Sequence, residues 1–189
     1  MSNSIRTFIA IKIHPEEALV RTMATLRRTL AGEAIKWVEA NNLHLTLKFL
    51  GDTSPEQVEQ VKKLLENITG KKQDFQITLS GLGFFKSRGM PRVLFARVHD
   101  FELLELLVEE IDEQLEKAGF EREKRKFKPH LTFARIKNIK DKRGFFQVID
   151  KLKHTGFQKN KISEVIFYKS NLTPQGPVYE PLLKSQFKN

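Results

Sequence analysis

Two copies of a His-Leu-Thr triplet, at residues 44–46 and 130–132, contain the side chains of this sequence that are best suited to chemistry. Histidine titrates near neutral pH, so one imidazole can accept a proton as a base while a second donates one as an acid. A threonine hydroxyl sits on a stiff, branched side chain and can donate a hydrogen bond to a phosphate oxygen. Together the triplets indicate acid–base chemistry at a phosphate group.

The sequence around each triplet alternates as a β-strand does. Alternate side chains of a strand share a face, which puts His44 and Thr46 on one side and Leu45 and Leu47 on the other. The imidazole and hydroxyl of a triplet then lie about 7 Å apart, at a rise of roughly 3.3 Å per residue. Two such strands packed together would place one imidazole on each side of a phosphate, as in-line displacement requires. A single triplet is usually only part of a strand, so this interpretation depends on the pair.

A weak internal repeat relates the two triplets. A shift of 86 residues carries the first triplet onto the second, and Ala10 onto Ala96. The order β-α-β-α-β thus occurs twice, which predicts a single α+β domain with two pseudo-twofold halves, about 1–86 and 87–189. Hydrophobic periodicity predicts strands at 7–13, 44–50, 75–82, 92–98, 130–136 and 162–169, and helices at 15–30, 55–68, 101–117 and 141–153.

The composition is that of an ordinary globular protein with a basic surface. Of the 189 residues, 40% are hydrophobic and 30% are charged, and the formal net charge is +10. This surplus favours polyanionic partners, and RNA, DNA, acidic membranes and nucleotides fit it equally well. Charged residues interrupt every apolar run, and the chain begins without a signal-peptide pattern. We therefore expect a cytoplasmic monomer that does not enter a membrane.

No other cluster competes with the histidine pair for a catalytic role. The absence of cysteine excludes disulfides, thiolate catalysis and cysteine-ligated zinc. His14, His99 and His154 have no partner at catalytic or metal-ligand spacing, and no carboxylate set suggests a two-metal site. The Gly-Leu-Gly at residues 81–83 is too short for a phosphate-binding loop. The sequence therefore predicts chemistry that uses neither a metal ion nor a cofactor.

These motifs resemble those of the 2H phosphoesterase superfamily, which is named for two His-x-Thr/Ser-x motifs. Here the motifs read HLTL at residues 44–47 and HLTF at 130–133. Within the superfamily, the closer likeness is to the LigT-like RNA 2′,3′-cyclic phosphodiesterases, also called RNA 2′-5′ ligases, and it extends over nearly the whole chain. The other shared segments are RTFIAI at 6–11, KFLG at 48–51, GFF at 83–85, PRVLF at 91–95, AR at 134–135, SNL at 170–172 and GPVY at 176–179.

The resemblance implies both a fold and a reaction. The fold would be bilobal, with antiparallel-rich sheets flanked by helices and the active site in a central cleft. The reaction would be metal-independent hydrolysis of a 2′,3′-cyclic phosphate at an RNA end to a 2′-phosphate. His130 would accept a proton from water, His44 would protonate the leaving 3′ oxygen, and Thr46 and Thr132 would bind the phosphate; reversal would form a 2′-5′ bond. The residues alone leave open which histidine is the acid and which is the base.

Several further residues are weaker candidates for substrate contact. Arg135 matches the family, but strict alternation puts it opposite the imidazole of its triplet. A bulge or the strand's end would have to bring it to the phosphate, and a surface ion pair is the alternative. Lys48 points to the same side as His44. The basic run at residues 121–128 could steer RNA or be a solvated face, and a phenylalanine at 84–85 could stack a base.

Two alternatives stand beside this function. One is a phosphodiesterase of the same superfamily with another substrate, such as 2′-5′ oligoadenylate, an ADP-ribose cyclic phosphate or the 3′ end of an RNA that is trimmed. The other is a non-catalytic RNA-binding protein that keeps the fold, although the presence of both histidines argues against it. RNase A-like strand cleavage, in which the pair would activate a 2′-hydroxyl, is the least favoured interpretation.

Overall fold

The computed structural model describes residues 4–174 and 176–188, which form nine strands, four α-helices and a short 3₁₀ turn at Ala40–Asn42. The strands are β1 (Ile5–Lys12), β2 (Ala34–Trp37), β3 (His44–Thr53), β4 (Phe75–Ser87), β5 (Met90–His99), β6 (His130–Asn138), β7 (Gly156–Ile162), β8 (Glu164–Thr173) and β9 (Gly176–Gln186). The helices are α1 (Glu17–Thr29), α2 (Pro55–Thr69), α3 (Glu102–Lys117) and α4 (Lys142–Lys151). The predicted α+β class is confirmed.

Helix α2 shows how local sequence sets the ends of these elements. The Ser54 side chain accepts a hydrogen bond from the backbone N–H of Gln57, and the Gln57 side chain accepts one from the backbone of Ser54. This capping box satisfies two N–H groups that have no partner within the helix. Pro55 occupies the first turn, where its missing N–H costs nothing. The helix therefore begins at the residue that its sequence favours.

The strands form two antiparallel sheets, with the orders β3-β1-β8-β9 and β2-β6-β5-β4-β7. Within the predicted units, β1 pairs with β3, and β5 pairs with β6. The third strands are exchanged between the units, because β4 pairs with β5 and β8 pairs with β1. Each sheet combines strands from both sides of residue 86, so the predicted boundary divides the sequence but not the sheets.

A tight hairpin accounts for the pairing of β4 with β5. Arg88 and Gly89 both have positive φ, 51° and 76°, as a two-residue type I′ turn requires. The turn folds β5 directly back along β4, with Ser87 opposite Met90. Two helices also connect the sheets. Helix α1 follows β1 of the first sheet but packs against β7 of the second, and α3 follows β5 of the second sheet but packs against β3 of the first. The two sheets consequently share one continuous apolar core.

A β-bulge interrupts each His-x-Thr strand directly after the threonine. In β3, neighbouring residues of β1 lie opposite Thr46 and Lys48, so Leu47 is the extra residue. In β6, the same break leaves Phe133 as the extra residue. A bulge sets two residues against one and so reverses the alternation beyond it. Side chains after each bulge therefore point to the face opposite the one that strict alternation predicts.

Lys48 follows the first bulge, and the prediction that it faces the same side as His44 is wrong. Its side chain is 8% exposed and forms a buried ion pair with Asp112 of α3. The ammonium also donates to the Glu121 carbonyl at 2.8 Å. The same carboxylate accepts a hydrogen bond from the backbone N–H of Glu123 at 3.2 Å. The pair thereby fastens β3 to α3 and to the start of the basic run.

The three strands that the sequence did not predict, β2, β7 and β9, all lie at sheet edges. β9 contains Pro177 and Pro181, which lack the N–H that an inner strand needs but are tolerated on an edge strand. β2 has only four residues, too few for a clear alternation. β4 is longer than predicted because Gly81, with φ of 70°, forms a bulge through which the strand continues to Ser87.

We expect the buried ion pair to contribute strongly to stability. Asp112→Asn should lower the free energy of unfolding by about 3 kcal/mol, because it leaves the Lys48 ammonium buried without its charged partner. Glu17→Gln is the matched control: it removes the carboxylate of an exposed pair with Arg21 and should cost under about 0.5 kcal/mol. Urea denaturation measures both values. Equal losses would show that the buried pair matters no more than a surface pair.

Candidate active site

His44 lies on an aromatic cluster that is separate from the main core. The buried members of this cluster are Phe8, Ala10, Ile166 and Tyr168. The imidazole centroid of His44 is 5.2 Å from the ring centroid of Phe8 and 5.1 Å from that of Tyr179. Because the opposite face of these strands packs into the main core, the cluster defines the cleft face of the first sheet.

His130 lies on a matching pair of aromatic rings from the second sheet. Its imidazole centroid is 4.8 Å from the ring centroid of Phe85 and 5.4 Å from that of Phe95. Gly83 makes room for Phe95, because a Cβ at this glycine would lie 2.6 Å from the ring. Of the two phenylalanines predicted as stacking candidates, Phe85 therefore lies at the cleft, whereas Phe84 packs on α4.

The two imidazoles are held by the same kind of hydrogen bond. Nδ1 of His44 is 2.7 Å from the carbonyl oxygen of Asn42, and Nδ1 of His130 is 2.8 Å from that of Lys128. A carbonyl oxygen only accepts, so Nδ1 must carry the hydrogen in both rings. Nε2 is then the atom that gains and loses a proton near neutral pH. Each ring is thus oriented as a general acid or base needs to be.

Burial lowers the pKa of His44 below its ordinary value of 6.5. The hydrogen bond to Asn42 opposes this shift, while the positive charges of Lys12 and His130 add to it. Strands β3 and β6 contact each other, and the charge of His130 contributes to this pKa shift, so the two imidazoles face the same cleft. The lowered pKa favours the neutral form of His44 at pH 7, and the negative charge of a bound phosphate would raise the pKa again.

Arg135 reaches the same cleft because the bulge at Phe133 reverses its direction. Burial lowers the pKa of His130, the hydrogen bond to Lys128 opposes the shift, and the guanidinium of Arg135 adds to it. Burial also raises the pKa of Tyr179, and the same guanidinium opposes that rise. Arg135 therefore lies near both the second histidine and the tyrosine that packs on the first. The bulge that Arg135 needs in order to face the cleft is therefore present in β6.

Thr46 and Thr132 precede their bulges, so both keep the face of the histidine two residues before them. Thr46 lies opposite Ala10 of the cleft cluster, and Thr132 lies opposite Phe95. Both residues are half-buried. Each hydroxyl therefore lies at the cleft beside an imidazole, where it can donate a hydrogen bond to an anion.

Phe49 is a cleft residue that sequence reasoning missed. Strict alternation assigns it to the buried face, but the bulge at Leu47 turns it outward, and the residue is 64% exposed. A shift of 86 residues carries Phe49 onto Arg135, so the repeat was the signal that could have found it. At equivalent positions the two strands thus present different chemistry, a phenyl ring in one and a guanidinium in the other.

The basic run at residues 121–128 crosses from α3 to β6 without regular secondary structure. Together with the outward-facing phenylalanine it lines a cavity of about 420 Å³. Its charge is partly compensated, since Arg122 pairs with Glu116 at 3.0 Å and Lys124 with Glu121 at 3.4 Å. The run therefore lies where it can attract a polyanion. Its positive electrostatic potential is weaker than its composition predicts, because part of its charge is paired.

The described ranges, 4–174 and 176–188, contain no group of three or more His, Cys, Asp or Glu side chains that could hold a metal ion. In that part of the chain, none of the helices combines the length and hydrophobicity of a membrane span. The cleft side chains described above supply imidazole, hydroxyl, guanidinium and aromatic groups.

Comparison with known proteins relates this site to one family. A family model described as LigT like Phosphoesterase matches residues 11–95 and 99–179. The chain belongs to this family. Two proteins named RNA 2′,3′-cyclic phosphodiesterase are similar to this LigT-like chain over almost their full length. The one from Methanocaldococcus jannaschii is 35% identical, over 93% of this chain and 97% of its own. The one from Thermotoga maritima is 32% identical, over 97% and 96%.

Solved structures show the same fold. The Thermus thermophilus protein TT0787 superposes with a TM-score of 0.79 at 26% identity, over 97% of this chain and 98% of its own. E. coli LigT in complex with 3′-AMP superposes with a TM-score of 0.77 at 26% identity, over 99% and 100%. The two-sheet arrangement of this LigT-like chain is therefore that of the family.

The lowered pKa values of the two cleft histidines can be measured by NMR. Among the five histidines of the chain, we expect His44 and His130 to titrate below pH 6.5, because burial disfavours both imidazolium ions. His44→Gln and His130→Gln identify the two resonances by removing one each. Inorganic phosphate should raise both pKa values, since it adds negative charge beside the rings. Titration of both resonances at or above pH 6.5 would show that burial does not control their protonation.

Proposed function

We propose that this LigT-like protein hydrolyses 2′,3′-cyclic phosphates at RNA ends to 2′-phosphates without a metal ion. The observation that carries the proposal is the matched pair of imidazoles in one cleft, each with Nδ1 bound to a backbone carbonyl. The relatives named RNA 2′,3′-cyclic phosphodiesterase support the substrate class. The complex of E. coli LigT with 3′-AMP supports nucleotide recognition, and the net charge of +10 suits a polyanion.

The two histidines divide the proton transfers of an in-line displacement. Nε2 of His130 accepts a proton from water as the water oxygen bonds to phosphorus. The bond from phosphorus to the 3′ oxygen breaks on the opposite side, and that oxygen takes a proton from Nε2 of His44. The product carries a 2′-phosphate and a 3′-hydroxyl. An RNA 5′-hydroxyl in place of water would form a 2′-5′ bond with the two histidines in the same roles, and reversal of that step would exchange the roles.

The remaining cleft groups stabilise the negative charge on the non-bridging phosphate oxygens in the transition state. Thr46 and Thr132 each donate a hydrogen bond to a non-bridging oxygen, one from either side of the cleft. Arg135 adds a permanent positive charge from the second sheet. Preorganised donors of this kind are among the largest contributions to catalysis, because they need no reorganisation as the transition state forms.

The reaction can be tested with a short oligoribonucleotide that ends in a 2′,3′-cyclic phosphate, in excess EDTA. We expect opening to a 2′-phosphate, identified by chromatography against standards. His44→Ala and His130→Ala should each lower kcat by about 100-fold or more, because each removes one proton transfer. His154→Ala, at an exposed position outside the cleft, should leave the rate unchanged. Turnover that EDTA abolishes, or that survives both cleft substitutions, would refute the proposed mechanism.

The role of Arg135 can be tested with the same assay. Arg135→Gln should lower kcat/KM by about 100-fold, the loss typical of removing one oxyanion donor, and Arg135→Lys should recover part of it. Arg143→Gln makes the same change on the exposed surface of α4 and should have no effect. If the two glutamine variants behave alike, Arg135 is a surface residue and not a phosphate ligand.

A further inference from the structure

A second cavity opens beside His44 on the cleft face of the first sheet, with a volume of about 230 Å³. We call it the His44-side pocket. Its floor is apolar and aromatic, and its rim is polar, the combination that is usual in sites for small organic ligands. The floor residues are Ile166, Tyr168 and Tyr179, and the charged residues of the rim are Lys12, Glu164 and Lys184.

The proposed reaction restricts where the nucleoside of the substrate can lie. In-line displacement puts water and the leaving 3′ oxygen on opposite sides of phosphorus. That oxygen belongs to the ribose, so the ribose must lie beside the group that protonates it. With His44 as the acid, the terminal nucleoside occupies the first-sheet side of the cleft. The His44-side pocket is the cavity on that side that lies next to the imidazole.

The rim of the pocket differs from the basic run in how its charges are paired. In the part of the chain that the structure describes, neither Lys12 nor Lys184 has a carboxylate oxygen within 4 Å, whereas several cations of the basic run do. Lys12 donates a hydrogen bond to the carbonyl of Asn41, and the carboxylate of Glu164 accepts one from Gln186. Lys184 is thus the rim cation best able to bind an incoming anion.

Lys184 is also placed at the correct end of a bound nucleoside. It lies opposite Ile166 in the pairing of β8 with β9, so its base extends from the floor of the pocket, and the residue is exposed. A nucleoside seated with its ribose at His44 extends away from the histidine along this floor. The group on its 5′ side in an RNA is a phosphate, which an exposed ammonium can bind.

We propose that the His44-side pocket binds the terminal nucleoside of the RNA and that Lys184 binds the phosphate on its 5′ side. The proposal rests on the function proposed above and adds a substrate preference to it. In an RNA chain, the terminal nucleotide that bears the cyclic phosphate also carries a phosphate on its 5′ oxygen. Such an end is a better substrate than a nucleoside 2′,3′-cyclic phosphate alone. Lys184 is a specificity residue and takes no part in proton transfer.

Two small substrates isolate this contact: adenosine 2′,3′-cyclic monophosphate and the same compound with a 5′ phosphate. Lys184→Gln should lower kcat/KM roughly fivefold for the 5′-phosphorylated compound, as expected for an exposed ionic contact. The loss should appear in KM, and Lys184→Arg should retain the preference. Lys63→Gln removes an exposed lysine from α2, on the other side of this sheet. It should leave kcat/KM unchanged for both compounds.

A selective loss for the 5′-phosphorylated compound supports the proposal. Equal loss on both compounds, or no loss on either, overturns it. Arg125 tests the opposite placement, because it lines the cavity beside the basic run: a selective loss in Arg125→Gln, with none in Lys184→Gln, would put the 5′ phosphate there and also overturn the proposal. If the wild-type protein opens neither compound nor the oligoribonucleotide, the proposed function itself fails, and this outcome is distinct from the others.

Discussion

A β-bulge directly after each threonine fixes which side chains of β3 and β6 face the cleft, because the alternation of a strand reverses at the extra residue. Before the bulge, each strand presents an imidazole and a hydroxyl. After the bulge at Leu47, Lys48 turns into the interior, where Asp112 compensates its charge. After the bulge at Phe133, Arg135 turns toward the second histidine. The same local irregularity thus creates a buried ion pair in one strand and a cleft cation in the other.

The cleft contains an imidazole and a hydroxyl on each side, which are the groups that the proposed reaction uses twice. The groups that the reaction uses once lie on one side only. An in-line displacement needs a proton acceptor and a proton donor on opposite sides, and the two strands supply an equivalent imidazole and hydroxyl each. The substrate itself has no such symmetry, since the ribose lies on one side only. The structure matches this difference: Arg135 has Phe49 as its counterpart, and the His44-side pocket adjoins one imidazole.

The sequence predicted the histidine pair, the threonines and the main helices because each depends on local periodicity or on the repeat. The bulges could not be predicted, because an extra residue is defined only against the strand that pairs with it. For the same reason Lys48 was assigned to the wrong face and Phe49 was missed. The pairing of β4 with β5 depends on a two-residue turn at Arg88 and Gly89, whose positive φ values cannot be read from a hydrophobic pattern.

The proposed assignment of His44 as the acid and His130 as the base requires that only one of the two imidazoles carries a proton on Nε2 at a time. Burial lowers the pKa of both, so the negative charge of a bound phosphate has to stabilise whichever imidazolium ion forms. His130 lies near the guanidinium of Arg135, a permanent charge that opposes its protonation. His44 lies near Lys12, whose positive charge likewise opposes protonation of the imidazole. Because each imidazolium disfavours the other, protonation of His44 keeps His130 neutral and able to accept a proton from water.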